Sequence, residues 1–191
     1  MAKLIFRYGS MNSAKSADLI MQAYRLRADG KKVQIFKPAL DTRDGAFVRS
    51  RAVPTELKAN LVQADDVGFI FSEVVKYKPR IVLVDEVQFL TVEQVEELAS
   101  VVDVQGITVI AYGLLTDFRG LMFAGSKRLA ELADNIERLR SECVQCNNEG
   151  VVNARFINGQ VQRDGEQIVV GAEEKYKVLC RKCYFDHLNG V

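Results

Sequence analysis

The sequence predicts an α/β fold: a P-loop domain on a mostly parallel sheet, followed by a small C-terminal zinc-binding domain. Three observations carry this expectation. Short apolar runs alternate with amphipathic stretches over the first 140 or so residues, the rhythm of βαβ units. A loop of phosphate-binding spacing joins the first run to the first amphipathic stretch. Four cysteines fall in two Cys-x-x-Cys pairs near the C-terminus.

The elements follow in order. Leu4, Ile5, Phe6 and Tyr8 form an apolar run ended by Gly9, which reads as a buried strand. Residues 16–27 carry Leu19, Ile20, Ala23, Tyr24 and Leu26 at helical spacing, and Gly30 closes that helix. Val33, Ile35 and Phe36 begin a second strand, completing a unit whose parallel strands need a helical crossover. Residues 41–54 are polar and turn-rich, with Arg43, Arg49 and Arg51, and read as an exposed loop. Residues 80–85 suit a strand covered on both faces. Thr91 with Gln94 makes a capping-box pair for a helix to about Val102. Residues 107–111 give a further core strand, 127–133 a helix and 136–140 a last strand. The composition then shifts, which places a boundary near Arg140, with domains 1–140 and 141–191. Beyond it, residues 151–157 are strand-like and Asn158-Gly159 is a two-residue hairpin signal.

Composition narrows the function. Hydrophobic residues make up 48% and charged residues 27%, the balance of a globular chain. Lys and Arg total 26 against 25 Asp and Glu, so bulk charge argues against a nucleic-acid partner. No run approaches the roughly 18–20 apolar residues of a membrane span. The apolar burst at the N-terminus is broken by Arg7 with no cleavage pattern after it, so a cytoplasmic location is expected.

Gly9, Ser10, Met11, Asn12, Ser13, Ala14, Lys15 and Ser16 follow G-x-x-x-x-G-K-[ST] with one departure, Ala14 in place of the second glycine. In such a loop backbone N–H groups and a helix N-terminus cradle phosphate, the lysine reaches the terminal phosphates, and the hydroxyl ligates Mg²⁺. Alanine costs about 1 kcal/mol if position 14 needs φ > 0 and little if φ is negative. The otherwise complete motif favours negative φ. Asp85-Glu86 follows the apolar run 81–84, at the strand end where parallel sheets bind ligands. Asp85 there can support Mg²⁺, and Glu86 can serve as general base for a hydroxyl attacking a γ-phosphate. A solvated acidic turn before a helix is the plainer alternative.

Cys143-x-x-Cys146 and Cys180-x-x-Cys183 flank 33 residues. Four thiolates suit one closed, tetrahedral, structural Zn²⁺. Two disulfides fit a reducing compartment poorly, and a redox pair would be expected in a thioredoxin-like unit. The tethered excursion contains residues 168–171 and Tyr176, suited either to enclosing a planar ligand or to forming the small domain's own core.

Taken together, these residues resemble the tetrameric, zinc-containing thymidine kinases of bacteria and animal cytosol. The likeness spans nearly the whole chain: residues 9–16, Lys37-Pro-x-x-Asp41-Thr-Arg43, Asp85-Glu-x-Gln88-Phe89, Tyr112-Gly-Leu-x-x-Asp-Phe118, the first cysteine pair, and residues 174–185. It implies a RecA-like core, a zinc-tethered lasso, and transfer of the ATP γ-phosphate to the 5′-hydroxyl of thymidine or deoxyuridine. It further implies Mg²⁺ with ATP, dTTP as a feedback inhibitor, and a homotetramer. Glu86 would be the proton acceptor, and Asp41, Arg43, Asp85 and Gln88 would stand near the phosphates. Met11, Phe89, Leu114, Phe118, Phe123 and Asn153 would surround the base. Gln167, Ile168, Val169, Val170 and Gly171 would bind it through the lasso backbone, with Tyr176 beside it. Ala14, Val87 and Asn153 depart from the usual family residues. Competing readings are a kinase for another deoxynucleoside, a weakly active nucleotide sensor, and a zinc-ribbon nucleic-acid binder.

Overall fold

The computed structural model describes residues 1–168 and 175–190. Six strands form one parallel sheet: β1 (Leu4–Tyr8), β2 (Val33–Pro38), β5 (Asn60–Val62), β6 (Ile81–Val84), β7 (Thr108–Gly113) and β8 (Asn135–Arg138). Their order is β5-β2-β6-β7-β1-β8, every neighbouring pair parallel. The pleat explains why these strands read as continuous apolar runs. Ile81, Leu83, Ile110 and Tyr112 pack on one face with Leu19, Ile20 and Ala23 of α1 (Lys15–Ala28). Val82, Val84, Val109 and Ala111 pack on the other with Val95, Leu98 and Val101 of α3 (Val92–Gln105). Both faces are covered, so both parities must be apolar.

Helices α2 (Phe69–Tyr77) and α4 (Ala124–Leu132) share the α3 face through Ile70, Val74 and Leu129. The expected capping box is present: Gln94 N donates to Thr91 Oγ1 at 3.3 Å, and Thr91 N donates to Gln94 Oε1 at 3.1 Å. The other predicted elements of the first 140 residues appear within a few residues of their expected ends, α4 starting three residues earlier than read.

One expectation is corrected. Much of residues 41–54 is not an exposed loop, because β3 (Phe47–Ser50) and β4 (Val53–Lys58) pair as an antiparallel hairpin. Val48 and Leu57 are buried against α1, which supplies the apolar cover that a local reading lacks. A second, three-stranded sheet, β10-β9-β11, is built from β9 (Val152–Ile157), β10 (Gln160–Val161) and β11 (Tyr176–Leu179). Helix α5 (Arg181–Asn189) follows it. Asn158 and Gly159 both take positive φ, 51° and 79°, as the hairpin turn between β9 and β10 requires.

Ala14 is the second correction. It stands at φ 59°, ψ 24°, in the left-handed region, as N-cap of α1 with no side-chain cap. The loop imposes this conformation by folding around the buried Lys15 ammonium, which donates to Ser10 O at 2.8 Å. Asn12 turns the same way, at φ 60°. Glycine relieves the Cβ strain but gains freedom when unfolded, so the two effects partly offset. Ala14→Gly is therefore expected to raise stability in urea unfolding by up to about 1 kcal/mol. A clear loss of stability would contradict the left-handed assignment.

Candidate active site

The phosphate loop occupies the turn from β1 into α1, at the carboxyl edge of the sheet. Gly9 is needed for close approach, since a Cβ there would stand 2.7 Å from Leu139 O and closer to Ser13. Lys15 Nζ reaches back to Ser10 O and, at 3.4 Å each, to Gly9 O and Ser13 Oγ. Burial pushes the Lys15 pKa down, with Glu86 and Asp85 pulling it up. The α1 N-terminus, free of a side-chain cap, leaves backbone donors for an anion.

Strand β6 delivers Asp85 and Glu86 beside this loop. Ser16 Oγ donates to Asp85 Oδ2 at 3.1 Å, linking the two motifs that the sequence placed apart. Asp85 is 3% exposed. Burial, reinforced by the neighbouring Glu86 charge, pushes its pKa up to about 7. Glu86 sits at φ 50° as the chain enters a 3-10 turn, Val87–Phe89. Its carboxylate accepts from Arg43 Nη2 and, at 2.5 Å, from Gln88 Nε2. Gln88 Oε1 in turn accepts from Leu114 N at 2.9 Å, so Gln88 braces Glu86 against the end of β7. Gly113 makes room for that brace, because a Cβ there would lie 2.5 Å from Gln88 Oε1.

Asp41 holds Arg43 in place: Arg43 Nε donates to Asp41 Oδ1 at 2.6 Å, and Lys37 Nζ lies 3.1 Å from Asp41 Oδ2. Burial would raise the Asp41 pKa, but the Arg43 guanidinium and the Lys37 ammonium outweigh it and hold the carboxyl below its ordinary value.

One cleft of about 930 Å³ gathers most of the sequence-predicted residues. At one end it is lined by residues 11–16, Asp41, Arg43, Asp85, Glu86 and Gln88. At the other lie Phe89, Leu114, Phe118, Phe123, Asn153, Gln167, Ile168 and Tyr176. Phe89 and Phe123 meet edge to face with ring centroids 6.1 Å apart. Gly9 and Ser10, the first two residues of the loop, do not line the cleft, and Ser10 is bonded to Ser141. Val169, Val170 and Gly171 lie outside the described residues. Asn153 Oδ1 accepts from Met11 N at 2.7 Å, tying the second sheet to the phosphate loop.

Sequence reasoning missed part of the wall. Arg49, Ser50, Arg51 and Ala52 of the β3–β4 hairpin line the cleft, as do the buried Lys37 and Asp117. The arginines were visible as a basic cluster, and Asp117 stood inside a quoted motif with no role attached.

The four cysteine sulfurs all lie within 4.8 Å of one another, with Cys146 and Cys180 at 3.6 Å. A tetrahedral zinc with Zn–S bonds of about 2.3 Å needs sulfurs about 3.8 Å apart, so the donor set fits. Burial opposes the Cys143 thiolate, but backbone donors at Cys180, Gln145 and Cys146 prevail and bring its pKa down to about 6. Burial pushes Cys183 up to about 12, an opposition that a bound dication would resolve. His187 takes no part, being 2.9 Å from Gln145 Oε1.

A phosphate loop bonded to a carboxylate at the end of β6, with a second carboxylate in a shared cleft, defines a P-loop phosphotransferase. Comparison narrows the class. The family model described as Thymidine kinase matches residues 2–184. A protein named thymidine kinase from Streptococcus pyogenes serotype M3 (strain ATCC BAA-595 / MGAS315) is 39% identical over 186 residues, covering 97% of this chain and 98% of its own. Similar proteins of the same name come from Lactococcus lactis subsp. lactis, 40% identical over 97% of this chain and 98% of theirs, and Streptococcus gordonii, 38% identical over 97% of both. The chain belongs to the thymidine kinase family. Among the described residues no helix is long and apolar enough to cross a membrane.

The raised Asp85 pKa has a measurable consequence without Mg²⁺. Between about pH 4 and 7 folded Asp85 keeps a proton that the unfolded chain has lost, so stability falls as pH rises through that window. Asp85→Asn should unfold at higher urea than wild type at pH 8 in chelator, with the difference shrinking at pH 5. An equal loss of stability at both pH values would contradict the buried-charge account.

Proposed function

We propose that the protein transfers the γ-phosphate of ATP to the 5′-hydroxyl of thymidine, and of deoxyuridine, giving the 5′-monophosphate for pyrimidine salvage. The observation that carries this reading is the continuity of the cleft. One cavity is lined both by the phosphate loop and Glu86 and by the aromatic side chains of Phe89, Phe118, Phe123 and Tyr176. Lys15 and the α1 N-terminus bind the phosphates, and Ser16 and Asp85 would hold Mg²⁺. Bound there, Mg²⁺ would neutralise charge on the phosphate oxygens. Glu86 accepts the proton of the 5′-hydroxyl as its oxygen attacks the γ-phosphorus, and ADP leaves with the electrons of the breaking P–O bond. Arg43 shares the Glu86 carboxylate in the free protein and lies within reach of the incoming phosphate.

The wider assignment follows the same reading. Residues 1–140 form the nucleotide-binding domain, and 141–191 the zinc domain whose lasso covers the base. One structural Zn²⁺ per chain, feedback by dTTP, a homotetramer and a cytoplasmic location complete it. The bracing of Glu86 by Gln88 and Arg43 favours a working kinase over a weakly active sensor.

Glu86→Gln is expected to lower kcat about 10²–10⁴-fold while leaving ATP affinity close to wild type, measured by coupled ADP release and nucleotide titration. Retention of half the activity would remove Glu86 from the role of base. The same assay over a panel of nucleosides tests thymidine against other substrates. Zinc removal should weaken thymidine binding before ATP binding, because the metal closes the lasso and lies outside the phosphate loop. Full thymidine affinity in protein with well under one zinc per chain would contradict this.

A further inference from the structure

The middle of the cysteine-tethered excursion, just past β10, is gripped at residues 164–167. Three consecutive carbonyls accept from two arginines: Arg155 Nη2 donates to Asp164 O at 3.1 Å, Arg119 Nη1 to Gly165 O at 3.3 Å, and Arg155 Nη1 to Glu166 O at 3.0 Å. The next residue is held by its side chain, Gln167 Nε2 donating to Asp117 Oδ2 at 3.1 Å. Asp117 also fixes Arg119, accepting from its Nε at 2.9 Å and its Nη2 at 2.6 Å. Arg155 is 7% exposed, and its guanidinium lies 3.9 Å from the Phe118 ring centroid. Gly165 stands at φ 126°, a backbone conformation that favours glycine, and a Cβ there would lie 2.2 Å from Arg155 Nη2 and displace it.

This is a costly use of an arginine. Among the described residues no carboxylate pairs with Arg155, and its buried Nε has no hydrogen-bond partner. Its charge is met by two backbone carbonyls and an aromatic face. A well-packed apolar residue would serve stability as well or better. What an apolar residue could not supply is two directed donors that fix the path of the chain leading to Gln167 and Ile168.

We propose that Arg155, with Asp117 and Arg119, forms a clamp that sets the backbone of residues 164–167 before nucleoside arrives, making Arg155 a positioning residue for nucleoside affinity. The clamp rests on the reading that the aromatic end of the cleft takes the nucleoside. It acts through Gln167 and Ile168, and through Phe118, whose ring is covered by Arg155 while its backbone O accepts from Tyr184 OH at 3.2 Å. Arg155 itself donates to Asp164 O and Glu166 O and not to the phosphate loop.

The test uses the full-length, zinc-loaded protein and three variants: Arg155→Met, Arg155→Lys and Gly165→Ala. Steady-state kinetics are measured against thymidine and ATP separately, and amide hydrogen exchange at 164–168 is followed in the free protein. Arg155→Met and Gly165→Ala should raise the thymidine KM about tenfold or more, with kcat within about threefold and the ATP KM within about twofold. Arg155→Lys should fail to restore affinity, since one ammonium cannot bridge both carbonyls while covering the ring. The 164–168 amides should exchange faster in all three. Gly165→Ala changes an exposed residue and keeps the test open should Arg155→Met fold poorly. Unchanged exchange in the variants, or faster exchange with an unmoved thymidine KM, would overturn the proposal. So would a parallel loss in kcat and both KM values. A wild type that thymidine neither protects at 164–168 nor engages as substrate would instead overturn the nucleoside reading, while the free-protein exchange still decides the clamp.

Discussion

Two adjacent carboxylates at the end of a fully buried strand set the charge problem around which the site is built. Asp85 follows four buried residues with no polar side chain and is itself buried, while Glu86 beside it is half-buried on the cleft wall. The protein answers with cations at graded distance. Arg43 takes Glu86 directly, Lys15 stands close enough to feel both, and Ser16 supplies a hydroxyl to Asp85. Arg43 is itself restrained by Asp41, and Asp41 by the buried Lys37. The chain of pairs runs from β2 across the sheet edge to β6, so placing the base also orders the loop after β2. Any phosphate entering this field meets positive groups already aimed inward, which reduces reorganisation when charge moves.

The second constraint is mechanical. Met11, next to the phosphate loop's tightest turn, gives its N–H to Asn153 of the second sheet, and Ser10 meets Ser141 just beyond β8. The two ends of the cleft therefore share a wall. The cysteine cluster fixes the far side of that wall, with Val144 N bonded to Val178 O at 3.0 Å. Position at the aromatic end is inherited from a tether more than 120 residues along the chain from the loop.

Much of this is legible in the sequence. Thr91 and Gln94 announced their helix because a capping box is local, and the cysteine pairs announced their cluster because few chemistries use that spacing. The phosphate loop was legible for the same reason. What was not legible depended on distant partners. Val48 and Leu57 looked like isolated apolar residues in a polar stretch until α1 covered them. Helix α2 begins after Gly68 at φ 85° with no side-chain cap, so it lacks the usual starting signal. The φ of Ala14 is set by how the loop wraps Lys15, and pattern alone favoured the wrong sign. The Arg119 and Asp117 contacts to residues 165 and 167 span 46 and 50 residues, beyond any periodicity.

The place of β1 in the sheet has a consequence for folding. It precedes the other strands of the sheet in sequence, yet it lies between β7 and β8, with Ile5 opposite Ile110 on one side and Asn135 on the other. Both neighbours therefore lie about 100 residues or more further along the chain. Until those pairings form, Leu4 and Phe6, wholly buried in the finished protein, have no partner strand, and the turn that becomes the phosphate loop hangs from an unpaired segment. Closing such long loops costs entropy before any contact repays it, which slows folding and prolongs exposure of the apolar end. The nucleotide-binding turn thus hangs on two long-range strand pairings, so its formation is tied to the slow, non-local part of the topology rather than to local contacts.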